Sequence, residues 1–224
     1  LGKSISEKSA HTPKPFNYSI DFSKVKESGK YKIRLGGKKE FTVEIKNNPY
    51  DFVVGEMVSF LRKQRSGAPL PPEDQIGHPG DVKCSVFQRK NGQNGRWEAT
   101  PAELYVDMLG GWYDAGDYLK FTLTTAYTTY FLLRSYEDYP ANSPKAKVDK
   151  AALLDEAVWG LQYLLKTMPD ENTFIIQVGN ADDHKQGQRM PYNDALNGQR
   201  HAYKAFSQTQ MGLTSAALAL GASI

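Results

Sequence analysis

The sequence has little cysteine and little net charge. Cys84 is the single cysteine among 224 residues, so the chain can form neither an intrachain disulfide nor a zinc site built from several thiolates. The 28 basic residues nearly balance the 25 acidic ones, for a formal charge of +3. A chain so balanced has no broad cationic field for nucleic acid or acidic lipid. We therefore expect no nucleic-acid partner.

Long apolar runs are also missing. Residues 205–224 carry no formal charge, but the polar residues 207–210 leave too short an apolar stretch to span a bilayer. We expect a buried helix there and no membrane span. No segment with a charged start and an apolar centre precedes the first strand-like segment. We therefore expect a secretion signal to be absent or already removed.

The sequence does have the composition of a globular chain, with 40% hydrophobic and 12% aromatic residues, enough for one large or two small domains. Residues 16–47 alternate between apolar and polar side chains, and Gly36 and Gly37 interrupt them, which predicts a hairpin. Since an isolated hairpin is marginally stable in water, this segment is either the end of a sandwich or a pair docked elsewhere. Asn48 and Pro49 end it and predict a domain boundary between these two residues.

After this boundary the spacing of the apolar residues becomes helical. Apolar stripes predict helices near residues 52–65, 121–133 and 153–165, and another from about Gln208 to the end of the chain. The first stripe consists of Phe52, Val53, Met57, Phe60 and Leu61. Two polar stretches, 67–111 and 169–206, are predicted as long loops. Helices alternating with long loops favour an α/α toroid, although the spacing equally allows a bundle.

Two carboxylates stand in a glycine-rich stretch, residues 110–118. Asp114 and Asp117 are three residues apart at a predicted helix start, where free N–H groups and the helix dipole would keep both ionised. Such a pair could hold a water and deprotonate it, which is what an inverting glycosidase requires. The structural alternative is that Asp114 is an N-cap and Asp117 a dipole partner in the first turn.

Aromatic residues surround this pair. Trp112, Tyr113 and Tyr118 offer flat faces that suit stacking on sugar rings, and Gly110 and Gly111 let a ligand approach the backbone. Aromatic residues beside a helix start also commonly belong to the core. Both interpretations stay open at this point.

Residues 110–121, with the sequence GGWYDAGDYLKF, resemble the catalytic signature of glycoside hydrolase family nine, the cellulases and related β-glucanases. Further segments resemble that family in the same order and spacing: FLRKQRSG at 60–67, LDEAVWGLQYLL at 154–165, VGNADDH at 178–184 and TSAALA at 214–219. Residues 21–46 are similar to the last strands of the immunoglobulin-like domain that precedes many of these catalytic domains. The resemblance covers nearly the whole chain from Asp21 onward, so it is stronger than a lone motif match.

The resemblance implies a mainly α fold. Residues 49–224 would be the N-terminal part of an (α/α)6 barrel, preceded at residues 1–48 by the C-terminal strands of an all-β immunoglobulin-like domain. The implied activity is hydrolysis of β-1,4-glucosidic bonds in cellulose or related β-glucans by an inverting mechanism. Asp117 would be the general base, Asp114 would help to hold the water, and His184 would lie near the bound sugar. Residues 185–187 depart from the small and aromatic residues usual after that histidine.

The family's general acid is a glutamate nearer the C-terminus of the complete catalytic domain, in a segment that this chain lacks. We therefore expect the chain alone to be a poor catalyst, completed by the remaining C-terminal part of the domain. Some members hold zinc near the loop of Cys84, but with His78 and no second cysteine we expect no metal here and no cofactor, with calcium confined to the full-length enzyme. The resemblance also implies a β-glucan polysaccharide or oligosaccharide as substrate and a secreted, periplasmic or cell-surface location. The alternatives are a carbohydrate-binding module and a structural fragment without activity of its own.

Overall fold

The computed structural model describes residues 4–7, 17–37, 39–47, 49, 52–70, 74–92, 94–139, 149–194 and 200–224. The chain divides into two compact units, Leu1–Asp51 and Phe52–Ile224. Asn48, the expected boundary residue, lies outside the described residues.

The first unit contains two antiparallel strand pairs. Strand β1, Ser4–Glu7, pairs with β2, Asn17–Ile20. Strand β3, Gly29–Leu35, pairs with β4, Lys39–Ile45. The predicted hairpin is therefore confirmed, while its origin in an immunoglobulin-like sandwich stays a prediction.

The β3–β4 hairpin follows the alternation of its sequence. Tyr31 is paired with Val43, and both are half-buried, whereas residues 30, 32, 42 and 44 are exposed. Gly36 and Gly37 follow β3 with φ angles of 56° and 75°. These angles lie in the left-handed region, which glycine adopts without the steric penalty of a Cβ.

The second unit contains helices where the sequence predicts them. The described α-helices are Val53–Lys63 (α1), Thr122–Asp138 (α2), Lys150–Lys166 (α3), Ala181–Lys185 (α4) and Gln208–Gly221 (α5). The four predicted helices correspond to α1, α2, α3 and α5, and their positions are confirmed. Helix α5 ends at Gly221 and not at the end of the chain, and its buried residues are Thr214 and Ala217, so the expectation of a buried helix there is wrong. Helix α2 packs against both α3 and α5, and α1 packs against α3. Among the described helices, none is both long and apolar enough to cross a membrane.

The helices meet in an apolar core. Val58 of α1, Leu133 of α2 and Ala157 of α3 belong to one buried cluster. Gly160 lets α2 and α3 approach closely, because a Cβ added there would lie 2.0 Å from Thr129 Oγ1.

The apolar stripe of α1 faces another way than the sequence suggests. Met57 and Phe60 are exposed by 61% and 60%, whereas Val54, Val58 and Leu61 face the core. Positions 54, 58 and 61 follow the i, i+4, i+7 spacing of a single helical stripe, so they form the packed face. The predicted stripe is therefore wrong in its orientation.

The stretches predicted as loops contain short strands. Pro69–Leu70 (β5) pairs with Gln75–Ile76 (β6). One sheet is formed by Cys84–Arg89 (β7), Trp97–Ala99 (β8), Tyr105–Val106 (β9), Lys120–Phe121 (β10), Ile175–Val178 (β11) and His201–Lys204 (β12). The strand order is β10-β11-β12-β7-β8, with β9 also on β7, and β12 runs parallel to β7.

The expectation of structureless loops at 67–111 and 169–206 is therefore wrong. The β7–β12 pairing joins Ser85 to His201, residues that are 116 positions apart. No local period records such a pairing, because each strand is short and its partner is distant. The second unit consequently combines helices with a sheet, whose core includes Cys84, Ile175 and Ala202.

Candidate active site

Asp114 and Asp117 lie on a tight turn. The N–H of Asp114 donates to Leu119 O at 2.8 Å, and the N–H of Tyr118 donates to Ala115 O at 3.1 Å. Two backbone hydrogen bonds therefore close the segment that bears both carboxylates.

This turn does not start a helix. Lys120 and Phe121 follow it as strand β10, which pairs with β11. Helix α2 begins at Thr122 with Phe121 as its N-cap. Neither carboxylate is a cap or a first-turn residue, so the predicted position at a helix start is wrong.

Asp117 is paired with His184. Its carboxylate is 21% exposed, and Oδ2 lies 2.6 Å from Nδ1 of His184. His184 is in the last turn of α4, which starts with a capping box. In that box Asn180 Oδ1 accepts from the N–H of Asp182 at 2.7 Å, and the N–H of Asn180 donates to Asp183 Oδ2 at 2.8 Å. The capping box thus fixes the short helix that brings His184 to Asp117.

Two of the three candidate aromatic platforms are in the core. Trp112 is buried, and its Nε1–H donates to Glu156 Oε1 at 2.7 Å. Tyr113 is buried, and its hydroxyl lies 2.8 Å from His78 Nδ1. Burial raises the pKa of Tyr113. The structure gives neither ring an open face, which corrects the expectation that both stack on sugars.

Tyr118 is half-buried and has an unusual backbone. Its φ of 66° lies in the left-handed region, which bulky residues rarely adopt. Its hydroxyl donates to Arg189 O, and the Arg189 guanidinium lies 4.9 Å from the centre of its ring. Of the three aromatic residues, Tyr118 is the one that retains some exposure beside Asp117, and Asp114 is exposed on the same turn.

A buried ion pair that the sequence analysis missed lies behind the turn. Lys120 Nζ is 2.7 Å from Asp81 Oδ2, and both side chains are fully buried. The ammonium also donates to Met108 O at 2.5 Å and to Ser66 Oγ at 3.2 Å. Burial lowers the pKa of Lys120. Burial alone would raise the pKa of Asp81, but Lys120 and Arg200 hold it below its usual range.

Of the residues in this buried group, Lys120 is the one that the sequence could have indicated. Lys120 stands inside the GGWYDAGDYLKF stretch, and a lysine between two apolar residues of a strand is conspicuous. Asp81 and Arg200 stand alone in the sequence, with no partner at a recognisable spacing, so only the sheet brings them to Lys120.

Three buried groups have the composition of a metal site. Ligand atoms of His78, Asp183 and Asp194 lie within 4.8 Å of one another. Arginine side chains already pair with both carboxylates of this group: Arg189 Nη2 is 2.6 Å from Asp194 Oδ2, and Arg200 Nε is 3.8 Å from Asp183 Oδ1. A divalent ion would add charge between two guanidinium groups, so the residues do not fit one.

His78 is a neutral member of this group. Its Nε2 lies 3.1 Å from Asp194 Oδ2. Burial, together with Arg200, lowers the pKa of His78 to about 4. Cys84 is also buried, and burial raises the pKa of its thiol to about 12, so it is not a reactive thiolate.

Comparison with known proteins gives one consistent family. A sequence profile described as "Glycosyl hydrolase family 9" matches residues 50–224. Endoglucanase 5 of Oryza sativa subsp. japonica is 34% identical over 179 residues, which cover 78% of this chain and 30% of that protein. Endoglucanase A of Bacillus pumilus is 32% identical over 146 residues, which cover 63% of this chain and 19% of that protein.

Solved structures agree in fold. The crystal structure of the family 9 endoglucanase J30 has a TM-score of 0.68 at 19% identity, covering 96% of this chain and 45% of that one. The endoglucanase of the termite Nasutitermes takasagoensis has a TM-score of 0.58 at 27% identity, covering 80% of this chain and 38% of that one. The chain spans about a quarter of the length of the curated relatives it matches.

Proposed function

The chain belongs to glycosyl hydrolase family 9, and from that membership we propose that it supplies the general base for inverting hydrolysis of β-1,4-glucosidic bonds in cellulose or a related β-glucan. The observation that carries the proposal is the Asp117 carboxylate, partly exposed and 2.6 Å from His184. The relatives are named as endoglucanases. Structural neighbours are described in complex with cellobiose and with a cellobiose-like isofagomine, which supports an oligosaccharide ligand.

In this mechanism a water attacks the anomeric carbon while a base removes its proton. His184 Nδ1 lies 2.6 Å from Asp117 Oδ2, and the proposal assigns the other oxygen, Oδ1, to the water. Oδ1 accepts a long hydrogen bond from the N–H of Leu119, at 3.5 Å, and a carboxylate oxygen can accept more than one hydrogen bond. Asp114, exposed on the same turn, helps to hold the water. The role of His184 in this proposal is to orient the base, beside its contact with the sugar.

The same displacement also requires that the leaving oxygen be protonated. The general acid of the proposal is a glutamate outside these 224 residues, and the chain covers only 19% to 30% of the two curated relatives named above. Removing a general acid typically costs about 10²- to 10⁴-fold in rate. The chain is therefore proposed to act together with the C-terminal part of a complete catalytic domain. Neither a metal nor a cofactor is needed, because water and two carboxyl groups suffice.

A secreted, periplasmic or cell-surface location is part of the same proposal, since an insoluble β-glucan is met outside the membrane. The carbohydrate-binding alternative is weaker, because Trp112 and Tyr113 are buried and leave Tyr118 as the single partly open ring of the three.

The test is Asp117→Asn in the intact protein on soluble cello-oligosaccharides. The amide keeps the shape but cannot take the proton, so kcat should fall by at least about 10³-fold while KM changes little. Azide needs no deprotonation, so it should attack the anomeric carbon as the C–O bond breaks and the acid protonates the leaving oxygen. The product should be a glycosyl azide of inverted configuration. Near-normal turnover by Asp117→Asn would refute the assignment of the base.

A further inference from the structure

The turn that bears Asp117 holds a strained residue. Tyr118 has a φ of 66°, and a non-glycine residue in this region costs on the order of 1–3 kcal/mol. The turn's own hydrogen bonds involve the N–H groups of Asp114 and Tyr118, and leave the carbonyls of Asp117 and Tyr118 to outside partners.

Both of those carbonyls are held by guanidinium groups. Arg200 Nη2 donates to Tyr118 O at 2.6 Å, and also to Val178 O at 3.3 Å. Arg189 Nη2 donates to Asp117 O at 3.2 Å. The two arginines thus donate hydrogen bonds to consecutive carbonyls of the turn, and one of these carbonyls belongs to Asp117, the proposed base.

Arg200 makes a closer contact with the turn than with the two carboxylates beside it. Its side chain is buried, and Nε lies 3.7 Å from Asp81 Oδ1 and 3.8 Å from Asp183 Oδ1. These are ion-pair separations beyond hydrogen-bond length, and Nε and Nη1 have no hydrogen-bond partner among the described residues. Because two of its nitrogens lack a hydrogen-bond partner, we infer that the hydrogen bonds of Nη2 to the two carbonyls determine the orientation of the Arg200 guanidinium.

Space for this guanidinium is also reserved by a glycine. A Cβ added at Gly179 would lie 2.9 Å from Arg200 Nη2 and 2.7 Å from Leu119 Cδ2. Gly179 has a φ of 85°, so a larger residue there would meet both backbone strain and Arg200.

We propose that Arg200, assisted by Arg189, is a positioning residue that locks the 114–119 turn and thereby aims the Asp117 carboxylate at its water. It acts through the carbonyls of Tyr118 and Asp117 and does not touch the substrate. The proposal rests on the proposed role of Asp117 as base. A displacement of about 1 Å in a reacting group can lower the rate by about 10²-fold, so the expected penalty falls on kcat.

Arg200→Lys in the intact protein is the test. A lysine keeps the charge between Asp81 and Asp183 but cannot also donate to two carbonyls in the guanidinium's plane. We expect kcat to fall by about 10- to 100-fold, equivalent to about 1.4–2.7 kcal/mol, with KM within about twofold. The matched control is Arg89→Lys, because Arg89 is exposed and donates to the carbonyl of Gly95 at 2.8 Å. It should leave kcat and KM unchanged.

Azide separates positioning from a general loss of folded enzyme. If the base is misaimed, azide should restore turnover in Arg200→Lys as it does in Asp117→Asn, since azide needs no base. A smaller folded fraction would not respond to azide. Arg189→Lys, nearer the surface, should show the same azide-sensitive loss, and it keeps the test available if Arg200→Lys does not fold.

The inference is overturned if both lysine variants keep their kcat, or if they lose it without rescue by azide. Asp117→Asn distinguishes this from failure of the underlying function. An inactive, azide-rescued Asp117→Asn with a normal Arg200→Lys sinks only the positioning role, whereas a normal Asp117→Asn sinks the function as well.

Discussion

The buried pair of Lys120 and Asp81 supports a quantitative stability prediction. Lys120→Met keeps the length of the side chain and removes its charge. It leaves Asp81 buried, with Arg200 as the remaining cation at 3.7 Å. It also removes the donor to Met108 O, Ser66 Oγ and Gly110 O. The variant therefore leaves one buried charge and three acceptors without the ammonium that Lys120 supplied.

The expected loss is large for a single substitution. Removing one partner of a buried ion pair costs about 3–5 kcal/mol. For a unit of this size, about 1 kcal/mol corresponds to about 2–4 °C in Tm, so the melting temperature should fall by about 6–20 °C.

Urea unfolding followed by tryptophan fluorescence measures the loss of unfolding free energy in the second unit, Phe52–Ile224, which contains Lys120 and Asp81. Within these 224 residues the three tryptophans, Trp97, Trp112 and Trp159, all lie in Phe52–Ile224, so for the 224-residue chain the signal reports on that unit. The matched control is Lys90→Met, which breaks the 3.2 Å pair of Lys90 with Glu98, whose side chains are 60% and 40% exposed. An exposed pair contributes about 0–1 kcal/mol.

A double variant sharpens the result. Adding Asp81→Asn to Lys120→Met removes the stranded charge, so the double variant should be less destabilised than the sum of the two single ones. A loss below about 1 kcal/mol in Lys120→Met, or strict additivity in the cycle, would refute the reasoning.

Two further predictions concern stability. Burial lowers the pKa of His78 from 6.5 to about 4, so between those pH values the unfolded chain binds the extra proton. The free energy of unfolding should therefore fall by about 3 kcal/mol as the pH drops through that window. His78→Asn, which tolerates the φ of 50° at this position, should flatten the profile in urea titrations from pH 7 to 4, and an unchanged slope would contradict the assignment. Gly160→Ala should destabilise by about 1–3 kcal/mol through its clash with Thr129, whereas the control Gly212→Ala in α5, with open space around it, should stabilise by about 0.5–1 kcal/mol. Melting curves decide, and equal shifts would refute the packing argument.

The sequence predicts the helices better than it predicts what lies between them. Helices α2 and α3 repeat an apolar stripe over 17 residues each, which is long enough for the 3.6-residue period to stand out. The strands of the second unit have two to six residues, and the pairings of β10 with β11 and of β7 with β12 join segments that are remote in sequence. A run such as Ile175–Val178 carries no signal that it will pair with β10 and β12.

For the site, too, features within one short motif were predictable from the sequence, and contacts between distant residues were not. The Asp114 and Asp117 pair was visible because the two carboxylates lie within one short motif, and His184 because it stands in a segment similar to the same family. The burial of Trp112 was not visible, since its indole N–H reaches Glu156, 44 residues away. An aromatic ring suits a core and a sugar platform equally well, and only packing decides between them.

The buried charges behind the turn raise a question of cost. Replacing a buried ion pair by well-packed apolar residues is often neutral or stabilising, so such groups are weak as a source of stability. Here each charge reaches a different element: Asp81 lies before β7, Lys120 is in β10, Asp183 is in α4, and Arg200 precedes β12. Apolar residues could fill the same volume but could not donate to the carbonyls of Tyr118 and Met108. The network therefore exchanges some stability for a fixed backbone, and the small sheet brings its members together directly behind the turn that bears Asp117.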